Sequence, residues 1–160
     1  MKKVLFFLLF LFVIVFLSSE WISIPENTHK ELFEHISGDR DALEIGFSLN
    51  GYEQKTISEQ GKVYQEISYF NEGEFLEIGK PDLPRFTRLV AIPNQGEASL
   101  EILSYEDEII SNINIFPQQE LQIESQPKIT TFVKDQEFYD RGDVFPGKLV
   151  ELGTPAILRD

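Results

Sequence analysis

From Leu43 onward, apolar and polar positions alternate in short runs. Leu43, Ile45, Phe47 and Leu49 are separated by Glu44, Gly46 and Ser48, the period of two of a half-buried strand. Asn50-Gly51 is a hairpin signal and predicts that Tyr52–Ile57 folds back on that strand. Gln60-Gly61 marks the next turn, and Val63, Gln65, Ile67 and Tyr69 share one face of a third strand. Asn71-Glu72-Gly73 interrupts the pattern, and Phe75, Leu76 and Ile78 lead into GKPDLPRFTRLVAIP, residues 79–93. In that stretch Pro81 and Pro84 fix their own backbone and bias Lys80 and Leu83 toward extended geometry. Gly79, Pro81, Leu83 and Pro84 thus read as a rigid corner feeding a strand, Thr87–Ile92, which Pro93 ends. Further short strands are expected at Ala98–Leu103, at Ile109-Ile110 and Ile113–Ile115 as a β pair (closed by Phe116-Pro117), at Ile129–Val133 and at Lys148–Leu152, with another beginning at Ala156. FYDRGDVFPG, residues 138–147, combines aromatic anchors with a turn at Asp140–Gly142 and a stop at Phe145-Pro146-Gly147. Short strands at this spacing, with no strand–helix–strand rhythm, predict an all-β fold, an antiparallel β-sandwich of jelly-roll type.

The first residues set the compartment. Lys2 and Lys3 precede an unbroken apolar run, Val4–Leu17, and then Ser18-Ser19-Glu20. This is the layout of a secretory signal peptide. The run is shorter than the roughly 20 residues of a membrane span. Residues 1–19 are therefore expected to be removed between Ser19 and Glu20, leaving a secreted, extracellular or periplasmic, bacterial protein with no membrane attachment. Residues 20–42 read as a polar lead-in, in which Thr28-x-x-Glu31 offers a capping box for a short helix. The β-domain is expected over residues 43–160.

Charge and residue types then narrow the chemistry. The formal net charge is −13, and removing Lys2 and Lys3 makes it −15. Such a surface repels nucleic acid, so no nucleic-acid partner is expected. The chain has no cysteine. It therefore holds no thiol nucleophile, thiolate metal site or redox pair. His29 and His35, the two histidines, are six apart and would lie on different faces of a helix. Asp39, Asp41 and Glu44 have the residue type of a calcium loop without its full pattern, and a charged turn is the simpler reading. Carboxylates are plentiful, but no spacing singles out a glycosidase pair. Arg141-Gly142-Asp143 matches an adhesion tripeptide, yet Gly142 equally supplies plain turn geometry. The chain offers no catalytic residues and calls for no cofactor or metal, so binding is expected rather than catalysis.

The order of the punctuated motifs resembles the N-terminal propeptide of gingipain-type cysteine peptidases, secreted bacterial enzymes with a caspase-like catalytic domain. The matching elements are GKPDLPRFTRLVAIP, then Phe116-Pro117, then FYDRGDVFPG, and finally TPAILRD with Leu158, Arg159 and Asp160. The resemblance implies a pro-domain made with its enzyme, covering the active-site groove and assisting folding until it is cut away. The implied partner is the catalytic domain of the cognate cysteine peptidase, in cis in the precursor. Lacking cysteine, this chain would be the front portion of such a precursor, with its β-domain incomplete at the C-terminus.

In arginine-specific relatives a loop after the strand-ending proline carries an arginine that enters the specificity pocket. Counted from Pro117, that position falls on Glu124, which an acidic pocket would repel. The resemblance thus implies a cleft-facing inhibitory loop of Leu121, Gln122, Ile123, Glu124 and Lys128. It leaves open whether another residue or plain steric cover fills the pocket. The competing reading is a secreted β-sandwich binding or adhesion module with no peptidase partner, using Trp21, Tyr52, Tyr64 and Tyr69 against carbohydrate or protein. A glycosidase fragment ranks below both.

Overall fold

In the computed structural model of the chain, residues 19–92, 97–122, 125, 127 and 131–156 are described. The strands are β1 (Glu20–Ser23), β2 (Phe33–Gly38), β3 (Leu43–Phe47), β4 (Gly51–Glu59), β5 (Lys62–Ser68), β6 (Gly73–Glu74) and β7 (Pro84–Arg85). A 3-10 turn, Pro25–Asn27, follows β1, and one short helix, α1 (Gln136–Arg141), lies late in the chain. The fold is all-β, and every strand pair is antiparallel. Three sheets result, in the orders β1-β4-β5, β2-β3 and β6-β7.

The long hairpin β4–β5 turns where Gln60 and Gly61 both adopt left-handed backbone, with φ of 49° and 74°. That is the geometry of a two-residue loop matched to strand twist. Asn50-Gly51, by contrast, is not a hairpin turn. β3 pairs with β2 and β4 pairs with β1, so the chain passes from one sheet to another at this point. Gly51 is needed for close approach instead. A Cβ there would meet the Ile22 carbonyl oxygen and the Trp21 ring at 2.5 Å.

Residues 20–42 are not a lead-in with a helix. Glu20–Ser23 is the edge strand of the first sheet, and Phe33–Gly38 pairs with β3. The Thr28 hydroxyl donates back to the Ile24 and Pro25 carbonyls rather than capping a helix ahead of it. Cross-strand pairing with β3, including Phe33 opposite Phe47, overrides the weak local helix signal.

The proline corner extends the first sheet. The Gln65 N–H donates to Asn114 and the Phe116 N–H to Gln65, so residues 114–116 line the free edge of β5 in parallel. The other side of that segment pairs antiparallel with the corner. Asp82 donates to Phe116, Gln118 to Lys80, and Gly79 to Gln118, each at 2.8 Å. Pro81 and Pro117 face each other across this ladder. They occupy a non-hydrogen-bonded pair of the ladder, where the N–H that proline lacks would have had no partner. Gly79 has φ of 82°, and a Cβ there would lie 3.0 Å from the Asp135 nitrogen.

The core is small and aromatic. Tyr64 is 2% exposed and packs with Phe116 and Phe132 at ring separations of 5.8 and 5.9 Å. Ile67 and Tyr52 are also buried. Tyr64 and Ile67 are three apart on β5 and so lie on opposite faces, which means β5 is covered on both sides. Val63, expected inside, is exposed.

The strands expected at Thr87–Ile92, Ala98–Leu103, Ile109–Ile115 and Lys148–Leu152 do not form, apart from the bridge at Ile115. Leu89 is 89% and Ile109 84% exposed. Alternation supplies a strand face, but a strand also needs an edge to pair with. The predicted Asp140–Gly142 turn is the end of α1, where Gly142 takes the left-handed conformation of a helix C-cap. Of the predicted strand at Ile129–Val133, residues 129 and 130 lie outside the described residues, as does Pro93.

Candidate functional site: a clamped loop

The corner and α1 together hold the two ends of one long loop. Its N-terminal end is fixed by the ladder between Gly79–Asp82 and Phe116–Gln118. At its C-terminal end the Asp135 N–H donates to Gly79 at 3.0 Å. Between them Gln119 acts as a crosspiece. Its Nε2 donates to the Pro117 and Val133 carbonyls at 2.7 and 2.8 Å, and its Oε1 accepts from the Val133 N–H at 2.8 Å. One amide side chain thus stands in for a strand residue and closes the neck of the loop.

Asp135 has two further duties. Its carboxylate accepts the Phe138 N–H at 2.9 Å, capping α1, and pairs with Lys80 at 2.7 Å. The Lys80 hydrogen bond, then the Phe138 N–H, hold its pKa below the usual carboxylate range. Lys80 also sits 4.1 Å over the Phe138 ring. Replacing Asp135 with alanine is expected to lower the urea midpoint, and asparagine, which can still cap, to restore part of the loss. Equal midpoints for the alanine variant and the parent would show that the neck does not depend on this cap.

Under the neck lies the aromatic floor of Tyr64, Phe116 and Phe132. Lys134 covers the rings of Tyr64 and Tyr139, at 5.2 and 4.1 Å. The Tyr139 hydroxyl donates to the Ile115 carbonyl, and burial raises its pKa. Asp82, 8% exposed, lies beside the ladder. With its nitrogen turned toward Asp82, the Gln118 amide donates to both carboxylate oxygens at 3.1 Å.

Of the loop residues expected to face a cleft, Leu121 is 67% exposed and Gln122 is exposed. Ile123, Glu124 and Lys128 lie outside the described residues. The motif residues Gly79, Pro81, Leu83 and Pro84 come together with the neck, and the Leu83 carbonyl accepts from Phe75 N–H. Phe145 packs its ring on Phe75 and Phe138, at 5.3 and 6.1 Å, and the Phe145-Pro146 peptide is cis. Gly147 is exposed. Leu158, Arg159 and Asp160 lie outside the described residues. At the other terminus, the Ser19 hydroxyl donates to Glu53, and Glu20 begins β1.

Sequence reasoning missed Gln119, Asp135 and the pair Asp82–Gln118. Asp135 was findable as a helix N-cap, an aspartate directly before Gln136-Glu137. The others carry no local signature.

The alternative chemistries find little support. Asp39 accepts the N–H groups of Asp41 and Ala42 at 2.8 and 3.0 Å, which lowers its pKa and marks a self-contained turn. Among the described residues no three acidic or imidazole groups are placed to hold a metal. Arg141 pairs with both Glu137 and Asp143, so the Arg and Asp of the tripeptide bind each other instead of diverging toward a receptor.

The Propeptide_C25 family matches residues 35–160. The chain belongs to this family. Two curated relatives, both named Gingipain R1, come from Porphyromonas gingivalis, one of them from strain ATCC 33277. Each is 24% identical over 138 residues, covering 86% of this chain. The chain spans only 14% of the length of the first and 8% of the second. No solved structure matches it. The family match covers the whole neck, from the corner through the segment at 116–119 to α1, so the clamped loop belongs to the propeptide region proper. No helix among the described residues is long and apolar enough to cross a membrane.

Proposed function

We propose that this chain is the pro-domain of a secreted gingipain-like cysteine endopeptidase precursor. It assists folding of the catalytic domain and covers its active-site groove until cleaved. The match to Propeptide_C25 over residues 35–160 carries this reading. The domain is an antiparallel β-sandwich on this reading, with β1 at its N-terminal edge once residues 1–19 have been removed in export.

Two features support the same reading. Leu43, Ile45 and Phe47 share one face of β3 and are exposed, as are Leu89, Leu103 and Ile109. An open groove of about 410 Å³ lies between the β2–β3 hairpin and residues 88–91, lined by Phe33, Leu43, Ile45 and Leu89. The apolar part of this groove is rimmed by Glu34, His35 and Arg88, and apolar surface rimmed by polar groups marks protein contact sites. A chain without cysteine must also take the nucleophile of its peptidase from outside itself.

The physics is that of mass action. In the precursor the pro-domain is tethered, so its effective concentration at the groove is high. It stabilises the native enzyme by binding it, and excludes substrate until cleavage dilutes it. The clamped neck lowers the ordering cost of presenting residues 121–128, because both loop ends are already fixed.

Replacing residues 121–128 with a Gly-Ser linker is expected to weaken inhibition of the cognate peptidase in trans at least tenfold, while the urea midpoint stays near that of the parent. Unchanged inhibition would remove this loop from the interface. Absence of inhibition by the parent chain itself would overturn the pro-domain reading.

A further inference from the structure

The corner that clamps the loop contains a buried carboxyl group, Asp82, with no cation beside it among the described residues. Asp82 uses its N–H to hold Phe116 and turns its carboxyl toward the Gln118 amide. The groups around it are nearly all acidic or neutral. Glu66 on β5 and Glu74 on β6 both act on it as like charges. Glu66 is itself engaged by Lys55 at 3.1 Å. From α1 comes Tyr139, neutral and hydrogen-bonded to Ile115. Tyr64 on β5 sits within the aromatic floor. Among the described residues the nearby cations Lys80, Arg85 and Lys134 are committed elsewhere, Arg85 to Glu151 at 3.5 Å. Lys80 binds Asp135, and Lys134 lies over the Tyr64 and Tyr139 rings.

We infer that Asp82 is a proton-operated latch: protonated, it lets the corner sit closed on Phe116–Gln118, and ionised, it loosens the neck of the loop. An anion here is buried against two like charges, with one amide to meet it. An acid in the same place needs no cation. Gln118 can serve either form, because its amide donates to a carboxylate and its oxygen accepts from a carboxylic acid.

The sign follows from the direction of the shift. Burial first, then Glu74, then Glu66, push the Asp82 pKa up to about 7. Between roughly pH 4 and 7 the closed corner therefore holds a proton that the open one does not. Closure is strongest at or below pH 4, weakens as pH rises toward 7, and levels off above. Any consequence for a peptidase rests on the pro-domain reading: the clamp would hold in acid and slacken at neutral pH, after export. The latch itself needs no partner.

Hydrogen exchange on the full chain, expressed as protection factors for the amides of Gly79, Asp82 and Gln118, measures corner opening directly. In the parent the opening constant is expected to rise by up to about tenfold per pH unit between pH 4 and 7. Asp82→Asn is expected to flatten this profile and to leave the corner at least tenfold better protected at pH 8. Glu74→Gln alters only an exposed side chain and is expected to move the profile to lower pH. A parent-like slope in Asp82→Asn would overturn the latch. Should that variant fail to fold, an unshifted profile in Glu74→Gln would overturn it instead. Inhibition of the cognate peptidase, measured over the same pH range, separates the two ideas. A titrating corner in a chain that inhibits nothing leaves the latch standing and removes the pro-domain reading.

Discussion

Tyr64→Ala is expected to destabilise the chain by roughly 3–5 kcal/mol, the range for deleting a large buried aromatic ring. Tyr64 is among the most deeply buried large side chains, at 2% exposure. Its ring meets Phe116 and Phe132 and lies under Lys134. Tyr64 and these neighbours belong to three segments far apart in sequence, namely β5, the 116–118 ladder and the return arm of the loop. The cavity would therefore open at the point where the segments are joined, and the floor beneath the neck would go with it. A loss of this size is a large share of a typical domain's stability. Tyr64→Phe keeps the ring and is expected to lie within about 1 kcal/mol of the parent. Urea unfolding, followed by the fluorescence of the single tryptophan, Trp21, checks both. An alanine variant as stable as the phenylalanine one would show that the ring cluster is not the organising core.

The elements that could be read from sequence are those whose causes are local. The β4–β5 hairpin follows from Gln60-Gly61 and two alternating runs, and it forms as expected. The proline corner was correctly seen as rigid and extended. Its role was not visible, because it depends on Pro117 and Gln118 arriving from far along the chain. Asn50-Gly51 misled for the same reason. A strong turn dipeptide lies where the chain changes sheets, and β1, a strand too short to stand out by pattern, takes the place beside β4. Leu89–Ile92 and Leu100–Leu103 are apolar runs that form no strand, because periodicity carries no information about whether an edge is available.

The candidate site divides along similar lines. Counting from Pro117 places the loop in the sequence, and of its five expected residues Leu121 and Gln122 are described and exposed. The residues that hold it, Gln119 and Asp135, act by replacing backbone partners. A glutamine acting as a strand residue has no sequence signature, since any of the several glutamines in 118–126 could have done so. Asp82 is equally silent. A lone aspartate between two prolines reads as a solvated turn, and only the ladder with Phe116 and Gln118 buries it.

The junction at Gly51 gives the second large effect. Gly51→Ala is expected to cost about 1–3 kcal/mol or more, the range for forcing extra volume into a packed site. The new methyl would sit 2.5 Å from the Ile22 carbonyl oxygen and 2.5 Å from the Trp21 ring. The first neighbour is backbone within the β1–β4 ladder, where Ser23 pairs with Gly51 and Ile22 with Tyr52. It cannot move aside without breaking that pairing. The second is the ring that packs edge-on against Tyr69 at 5.7 Å. Both remedies loosen β1, a four-residue edge strand whose pairing partner is β4. The variant should therefore show a red-shifted, more solvated Trp21 and faster exchange at Tyr52, while the β4–β5 hairpin stays protected. Gly73→Ala is the matched control. It also lies in a strand, yet the nearest atom to its new methyl is 3.8 Å away, so it is expected to change stability by less than about 0.5 kcal/mol. Equal tolerance at the two glycines would mean that β1 is not seated against β4 in solution, and that the domain begins after it.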